Sequence, residues 1–534
     1  MDILATELDR NHQILQREAS PPVYFLGYAV ADVETTSVMA SGGALKSSSS
    51  NRTRLLDVTV RGGSPALDNY RVVGGRQPRF TSGHPIPWED QPAAIRQELW
   101  RETDRIYRLA SRRLINIQTE SRLKLGEQDA PADFSAEDPV TGVHLPPELH
   151  VDRLDWERRL RAFSAEFRSF YRIIDSNVSL AATRQVKYLA TSEGTRLAHG
   201  GTMVRISVTA GAKAADGMEV GAGETFEAFT PGDLPDEVTL RRAIRRVAIT
   251  VTKLMDAPPV DPYVAPAILS GRAAGVFFHE IFGHRVEGHR LRDASEGQTF
   301  RNSVGAPVLP EFLSVLFDPT RMRLGGRDLM GSYDYDDEGV KARPVMVVDK
   351  GILRAFLMSR APADSFQRSN GHGRREPGHE IASRQSNLIV QSSRQATDEE
   401  LRALLLDEVR KQGKEYGFYF EQVTGGFTQT GRRGIQAFKV IPLVVYRVYP
   451  DGRPDELVRG ADIVGTPLAA FSKIIAAGAE FEVFNGFCGA ESGDVPVAAA
   501  SPALLVSEIE IQRKESSQDR PPLLPRPVAD GGAP

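Results

Sequence analysis

The chain has 534 residues, 41% of them hydrophobic and 25% charged, with a formal net charge of −4 and a pI near 6.3. That length holds two or more domains, and the ordinary composition with near-neutral balance gives no global field for nucleic acid or an anionic membrane surface. No apolar run is long enough to span a bilayer, and the single cysteine, Cys488, excludes an intrachain disulfide.

The N-terminus, MDILATELDRNHQIL, alternates charged and apolar residues and predicts an amphipathic helix rather than a secretory signal, so a cytoplasmic location is expected. Residues 24–43 and 53–63 are strand-like. Residues 88–118 and 152–170 keep helical periodicity, and the polar, proline-bearing stretch 126–149 between them reads as an exposed connection. Residues 178–212 predict an antiparallel meander, with turns at Ser-Glu-Gly (192–194) and His-Gly-Gly (199–201) and helices covering the sheet. A third helix, 236–257, leads into the proline-rich DAPPVDPYVAP, after which short β-like runs dominate. Among them Thr397 with Glu400 three residues on marks the capping-box start of a helix over 397–413. The fold class predicted is α+β: an N-terminal α+β domain (1–232) with an antiparallel sheet and long helices, a β-rich C-terminal domain (233–514), and a disordered tail rich in proline and charge (515–534).

The stretch HEIFGH (279–284) resembles the zinc-protease pattern H-E-x-x-H but is longer by one residue. At i, i+4 two histidines share a helix face with the glutamate beside them. At i, i+5 they point about 140° apart on a regular helix. Either the pattern is accidental or the backbone departs from α geometry there. A π-bulge is one such departure, and Gly283 makes a departure cheaper. The preceding GRAAGVFF is small, then apolar, which suits a buried helix. Glu287 and His289 follow closely. Glu287 either orients a ligand or forms a surface ion pair, and His289 is either a surface residue or crowds the site.

Several blocks in order resemble the TldD/PmbA metallopeptidase family, in its TldD-like, metal-bearing branch. They are HEIFGHRVEGHR (279–290), YDYDDEGVKARPVMVVDKGILRAFLMSR (333–360), SNGHGRRE (369–376), VRGADIVGTP (458–467) and FCGAESGDVPVAAASPALLVSEIEI (487–511). The resemblance implies a zinc-dependent peptidase in which His279, His284 and Cys488 hold Zn2+ and Glu280 is the catalytic acid/base. It places the motif helix in the β-rich domain. It implies a peptide substrate and a dimer, either with a second copy or with a PmbA-like subunit. His289 stands where that family is expected to carry an acidic residue. Three protein ligands leave one position on zinc for water. Arg374 and Arg375 are candidates to bind substrate or to steady a developing oxyanion, or they are a solvated turn. His372 and His379 are the fallback ligands. Two other readings stay open: a scaffold subunit without turnover, and a zinc amidohydrolase of small amides. DYDDEG is not an EF-hand, because Val345 falls where the closing glutamate belongs. The sequons at 51–53 and 177–179 have no secretory context.

Overall fold

The computed structural model describes all residues except 74–76, 124–130, 433–437, 466–469, 515–520, 523 and 525–534. The tail expected to be disordered therefore lies outside the described residues, apart from 521, 522 and 524.

Along the strand Val23–Ser41, bulky Leu26, Tyr28 and Val30 alternate with small Gly27, Ala29 and Ala31. Alternate side chains point to opposite sheet faces, so one face is bulky and the other trimmed. This strand pairs antiparallel with Ala44–Ser64 on one side and Asp175–Thr191 on the other. The sheet continues antiparallel through Arg196–Lys213 to Glu219–Ala228. Four helices cover its bulky face. Helices α1 (Asp2–Glu18) and α2 (Pro92–Leu123) bury Leu4, Leu8, Ile95, Leu99 and Ile106 against Leu26, Tyr28, Val30 and Val58. Helices α3 (Arg153–Ala165) and α4 (Glu237–Asp256) bury Trp156, Leu160, Leu240, Ile244 and Val247 against Val38, Val178, Val204 and Ile206. The expected helix-covered sheet is present.

Three details differ from the sequence reading. Helix α4 lies past the 232/233 division, yet its apolar stripe from Leu240 to Leu254 packs on the first sheet. His199-Gly200-Gly201 is no turn, because the strand Arg196–Lys213 runs straight through it. A Cβ on Gly200 would lie 1.9 Å from the Gln185 carbonyl oxygen, so the glycine serves close strand approach. The connection after residue 130 is not exposed throughout. Phe134 is buried between the Arg61 and Arg360 guanidinium groups, 3.9 and 3.8 Å from its ring centre, and Asp133 beside it is paired with Arg71 and Arg292.

The second sheet closes on itself. Gly493–Arg513 pairs with Ala461–Gly465, then come Phe438–Val448, Gly417–Thr428 and Tyr263–Leu269, which pairs back with Gly493–Arg513. Closure removes the exposed edges along this ring. Helix α5 (Gly271–Ile281) packs against it with every residue but Arg272 buried. Ser270 caps α5 by accepting the Ala273 N–H at 3.1 Å. The small residues at its start have a clear purpose: a Cβ on Gly275 would sit 2.8 Å from the Ala499 carbonyl oxygen, and one on Gly271 2.4 Å from that of Ser501. The apolar residues that follow fill the core. Phe277 lies edge-on to Phe438 and Phe471 at 5.8 and 6.0 Å, and each buried phenylalanine contributes roughly 1.5–3 kcal/mol. Helix α6 (Asp398–Lys411) starts with the predicted capping box. Thr397 accepts from the Glu400 N–H at 3.2 Å, and Glu400 accepts from the Thr397 N–H at 2.8 Å.

Candidate metal centre

The i, i+5 spacing is resolved by ending the helix. The Phe282 N–H makes the last α-type bond, to Phe278 at 3.0 Å, and the Arg285 N–H then bonds to Phe282 at 2.9 Å. A 3₁₀ turn, Gly283–Val286, replaces the expected π-bulge and swings His284 back over His279. The two imidazole centres are 5.1 Å apart. Gly283 has a reason other than backbone freedom: a Cβ there would lie 1.9 Å from Oε1 of the fully buried Gln385.

The strand Ile474–Ala490 brings Cys488 to this corner, paired across its hairpin with Val495. Its Sγ lies 3.2 Å from His279 Nε2 and 3.4 Å from His284 Nε2. All three donor atoms lie within 4.8 Å of one another, and all three residues are buried. Metal–ligand bonds of ~2.0–2.3 Å at tetrahedral angles would put neighbouring donors about 3.5 Å apart, so the donor set fits an ion such as zinc. Burial pushes the Cys488 thiol up, but the His284 and His279 imidazoles outweigh it and hold the thiol well below its usual range.

Glu287 orients His284. Its carboxylate, fully buried, meets His284 Nδ1 at 3.1 Å, which leaves Nε2 free to face the sulfur. Burial alone would raise Glu287, but His284, then Arg290 and Arg384, bring it down to about 2. The same contacts act on His284: burial opposes its charge, while Cys488 and Glu287 more than compensate and raise it. Of the two sequence readings of Glu287, the orienting one matches this geometry.

Glu280 sits next to His279 on α5 and packs against the strand Gly417–Thr428, where a Cβ on Gly426 would come within 2.7 Å of its Cγ. Burial raises its carboxyl above the usual range, partly offset by His279 and His284. A buried carboxyl with a raised pKa, next to His279 in the chain, suits the taking and returning of a proton.

The arginine pair divides. Arg374 holds its guanidinium 4.8 Å from the Tyr333 ring centre, and its Nη1 donates to the Gln385 carbonyl. Arg375 turns the other way. It lines a cavity beneath the trimmed face of the first sheet with Phe25, Gly27 and Glu380, and lies 3.7 Å from Asp57. The strand Gly373–Arg374 pairs with Ala382–Ser383 and ends before Arg375. Both arginines are buried, so the solvated turn is not what forms.

His289 is neither a surface residue nor part of the donor cluster. It is buried, with Nδ1 3.1 Å from the Ser383 carbonyl and Nε2 3.5 Å from Glu491. The fallback ligands stand apart too: His379 lies 3.8 Å from Glu376, and fully buried His372 meets Ser386 Oγ through Nε2 at 3.1 Å. Burial, reinforced by Arg374 and Arg343, pushes His372 down to about 3. A depressed histidine stabilises the fold fully above its unfolded pKa of about 6.5, and that stability is lost as pH falls toward 3. Between pH 7.5 and pH 5.0 the loss is expected to be about 2 kcal/mol. Urea midpoints at the two pH values check this, and an equal pH drop in His372→Gln would disprove the assignment.

Sequence reasoning missed Arg384 and Gln385. The available signal was Ser383–Asn387, an unbroken polar run entering an apolar strand, and all five of these residues are fully buried.

The family model described as the PmbA/TldA metallopeptidase C-terminal domain matches residues 262–513, and the one for the central domain matches residues 146–250. A metalloprotease of Methanothermobacter thermautotrophicus is 26% identical over 62% of this chain and 68% of its own length. A metalloprotease TldD homolog of Haemophilus influenzae is 23% identical over 73% of this chain and 79% of its own. A zinc metalloprotease TldD homolog of Saccharolobus solfataricus is 25% identical over 46% of this chain, which spans about half of that relative (51%). In solved structures, TldE from Thermococcus kodakarensis superposes with a TM-score of 0.59 at 12% identity, covering 95% of this chain and all of its own (100%), which shows a shared fold.

Proposed function

Because the chain belongs to the PmbA/TldA metallopeptidase family and is a metallopeptidase of its TldD type, we propose that it is a zinc-dependent peptidase using His279, His284 and Cys488 as ligands and Glu280 as general acid/base. The observation that carries this reading is the convergence of two imidazole nitrogens and a cysteine sulfur, drawn from segments about 200 residues apart, beside a buried glutamate. Bound there, zinc supplies a Lewis acid that polarises the scissile carbonyl. The chain's own groups do the rest. Glu287 fixes the His284 ring so that Nε2 presents its lone pair. Glu280 takes a proton from the attacking water and delivers it to the leaving amine nitrogen. Of the arginine pair we assign Arg374 to substrate, because its Nη1 reaches the Gln385 carbonyl while Arg375 is held near Asp57.

All four site residues are at least nine-tenths buried. That burial supports small or unfolded peptides as substrates, because a folded protein cannot reach the ligands. We further propose a dimer, with a second copy or a PmbA-like subunit, and a cytoplasmic site of action without nucleic-acid or membrane partners. No helix among the described residues is long and apolar enough to cross a membrane. We place the division between the two folded halves after α4, within residues 257–262, where proline-rich sequence joins the sheets.

The test is a peptide panel read by product mass spectrometry, before and after chelation and zinc add-back. Peptide-bond cleavage that vanishes with chelator and returns with zinc is expected. Cleavage confined to small amides would favour an amidohydrolase, and zinc-loaded protein without turnover would favour a scaffold subunit.

A further inference from the structure

We infer that the dipeptide Arg384–Gln385 is a positioning element that sets the affinity of the metal centre, an inference that rests on the zinc-site reading above. Nothing in the chemistry of the three ligands requires these residues, yet between them they touch the support of each one. Gln385 Nε2 donates to the His279 carbonyl at 3.2 Å, and its amide fills the space over Gly283 in the turn that brings back His284. Arg384 reaches Cys488 directly and His284 only through Glu287. Its Nη2 donates to the Cys488 carbonyl, and its Nη1 to Ser492 Oγ and the Gly493 carbonyl at 2.8 and 2.9 Å. Those contacts pin both strands of the hairpin whose end carries Cys488. On its other edge Arg384 Nε faces Glu287 Oε1 at 3.4 Å, and each of these two buried atoms lacks a hydrogen bond of its own. Glu287 is in turn the carboxylate that orients His284.

One guanidinium thus ties the carboxylate behind His284 to the main chain of Cys488, from a position that is completely buried. Arginine suits the task because its rigid fork offers five donors in one plane, so separate acceptors can be held in fixed relation. Both ends of the link are needed, since Cys488 and His284 come from different parts of the chain and no covalent bond fixes their spacing. Residues that orient ligands in this way typically alter metal affinity by ~10–100-fold when removed.

The experiment is cobalt(II) titration of the full chain, read by sulfur-to-cobalt absorption and by competition with a chelator. Far-UV circular dichroism and urea midpoints report folding. Arg384→Met is expected to bind cobalt ~10–100-fold more weakly than the parent and to show a weakened sulfur band while remaining folded. Arg384→Lys, which keeps the charge and part of the reach, should recover some of both. In combination with Glu287→Gln the losses should be less than additive, because the two residues act along one link. Parental affinity and absorption in folded Arg384→Met, or in Arg384→Gln should the first variant not fold, overturns the inference while leaving the metal centre standing. Full additivity in the double variant overturns it equally. A parent chain that binds no cobalt with a sulfur band overturns the zinc-site reading itself.

Discussion

Glu280→Gln should keep zinc and peptide binding but turn peptides over ~10²–10⁴-fold more slowly, the usual worth of general acid–base catalysis. The amide keeps the size of the side chain and its packing against Gly426, where even a Cβ would come within 2.7 Å of Glu280 Cγ. What disappears is a carboxyl able to take and return a proton. Burial raises that carboxyl above its ordinary range, and glutamine has no proton to exchange there. Zinc content and peptide affinity measured beside kcat separate the roles: a base affects kcat, a ligand affects metal. Near wild-type hydrolysis by a variant shown free of contaminating protease would move the base elsewhere, with Glu287 and Glu491 the next residues to replace.

Cys488→Ala and His279→Ala should behave differently, losing zinc and activity together. The purified parent is expected to carry about one zinc per chain, as a single three-ligand site allows, and each variant a small fraction of that. Removing Cys488 takes away the one thiolate and leaves two imidazoles, with His284 still held by Glu287. The packing loss is small, since the sulfur contributes to a minor cluster with Val495 and Val497, so the fold should persist in urea titrations. Full zinc occupancy in Cys488→Ala would remove the sulfur from the site. The fallback histidines would not replace it, because His372 is bonded to Ser386 and neither His372 nor His379 belongs to the donor cluster.

What local pattern controls was legible along the chain. Alternation gave the strands of the first sheet, helical periodicity gave the covering helices, and Thr397 with Glu400 gave a cap that forms as written. So was the chemistry on offer: two histidines and a glutamate in one short stretch, and a single cysteine in the whole chain. The i, i+5 spacing even required an irregular turn, although the chain uses a helix end and a 3₁₀ turn rather than a π-bulge.

Which of these groups meet depends on packing between distant segments. Helix α4 reads the same whichever sheet it covers, because an apolar stripe specifies burial but names no partner. Arg374 and Arg375 are neighbours in sequence, but one meets the Gln385 carbonyl and the other approaches Asp57. Gly200 and Gly283 are indistinguishable from turn glycines until Gln185 and Gln385 are seen against them. Arg384 shows the limit most clearly. A buried guanidinium is stable only where carbonyls and a carboxylate converge on it, and those acceptors come from residues 287 and 488–493, a convergence that only long-range packing creates.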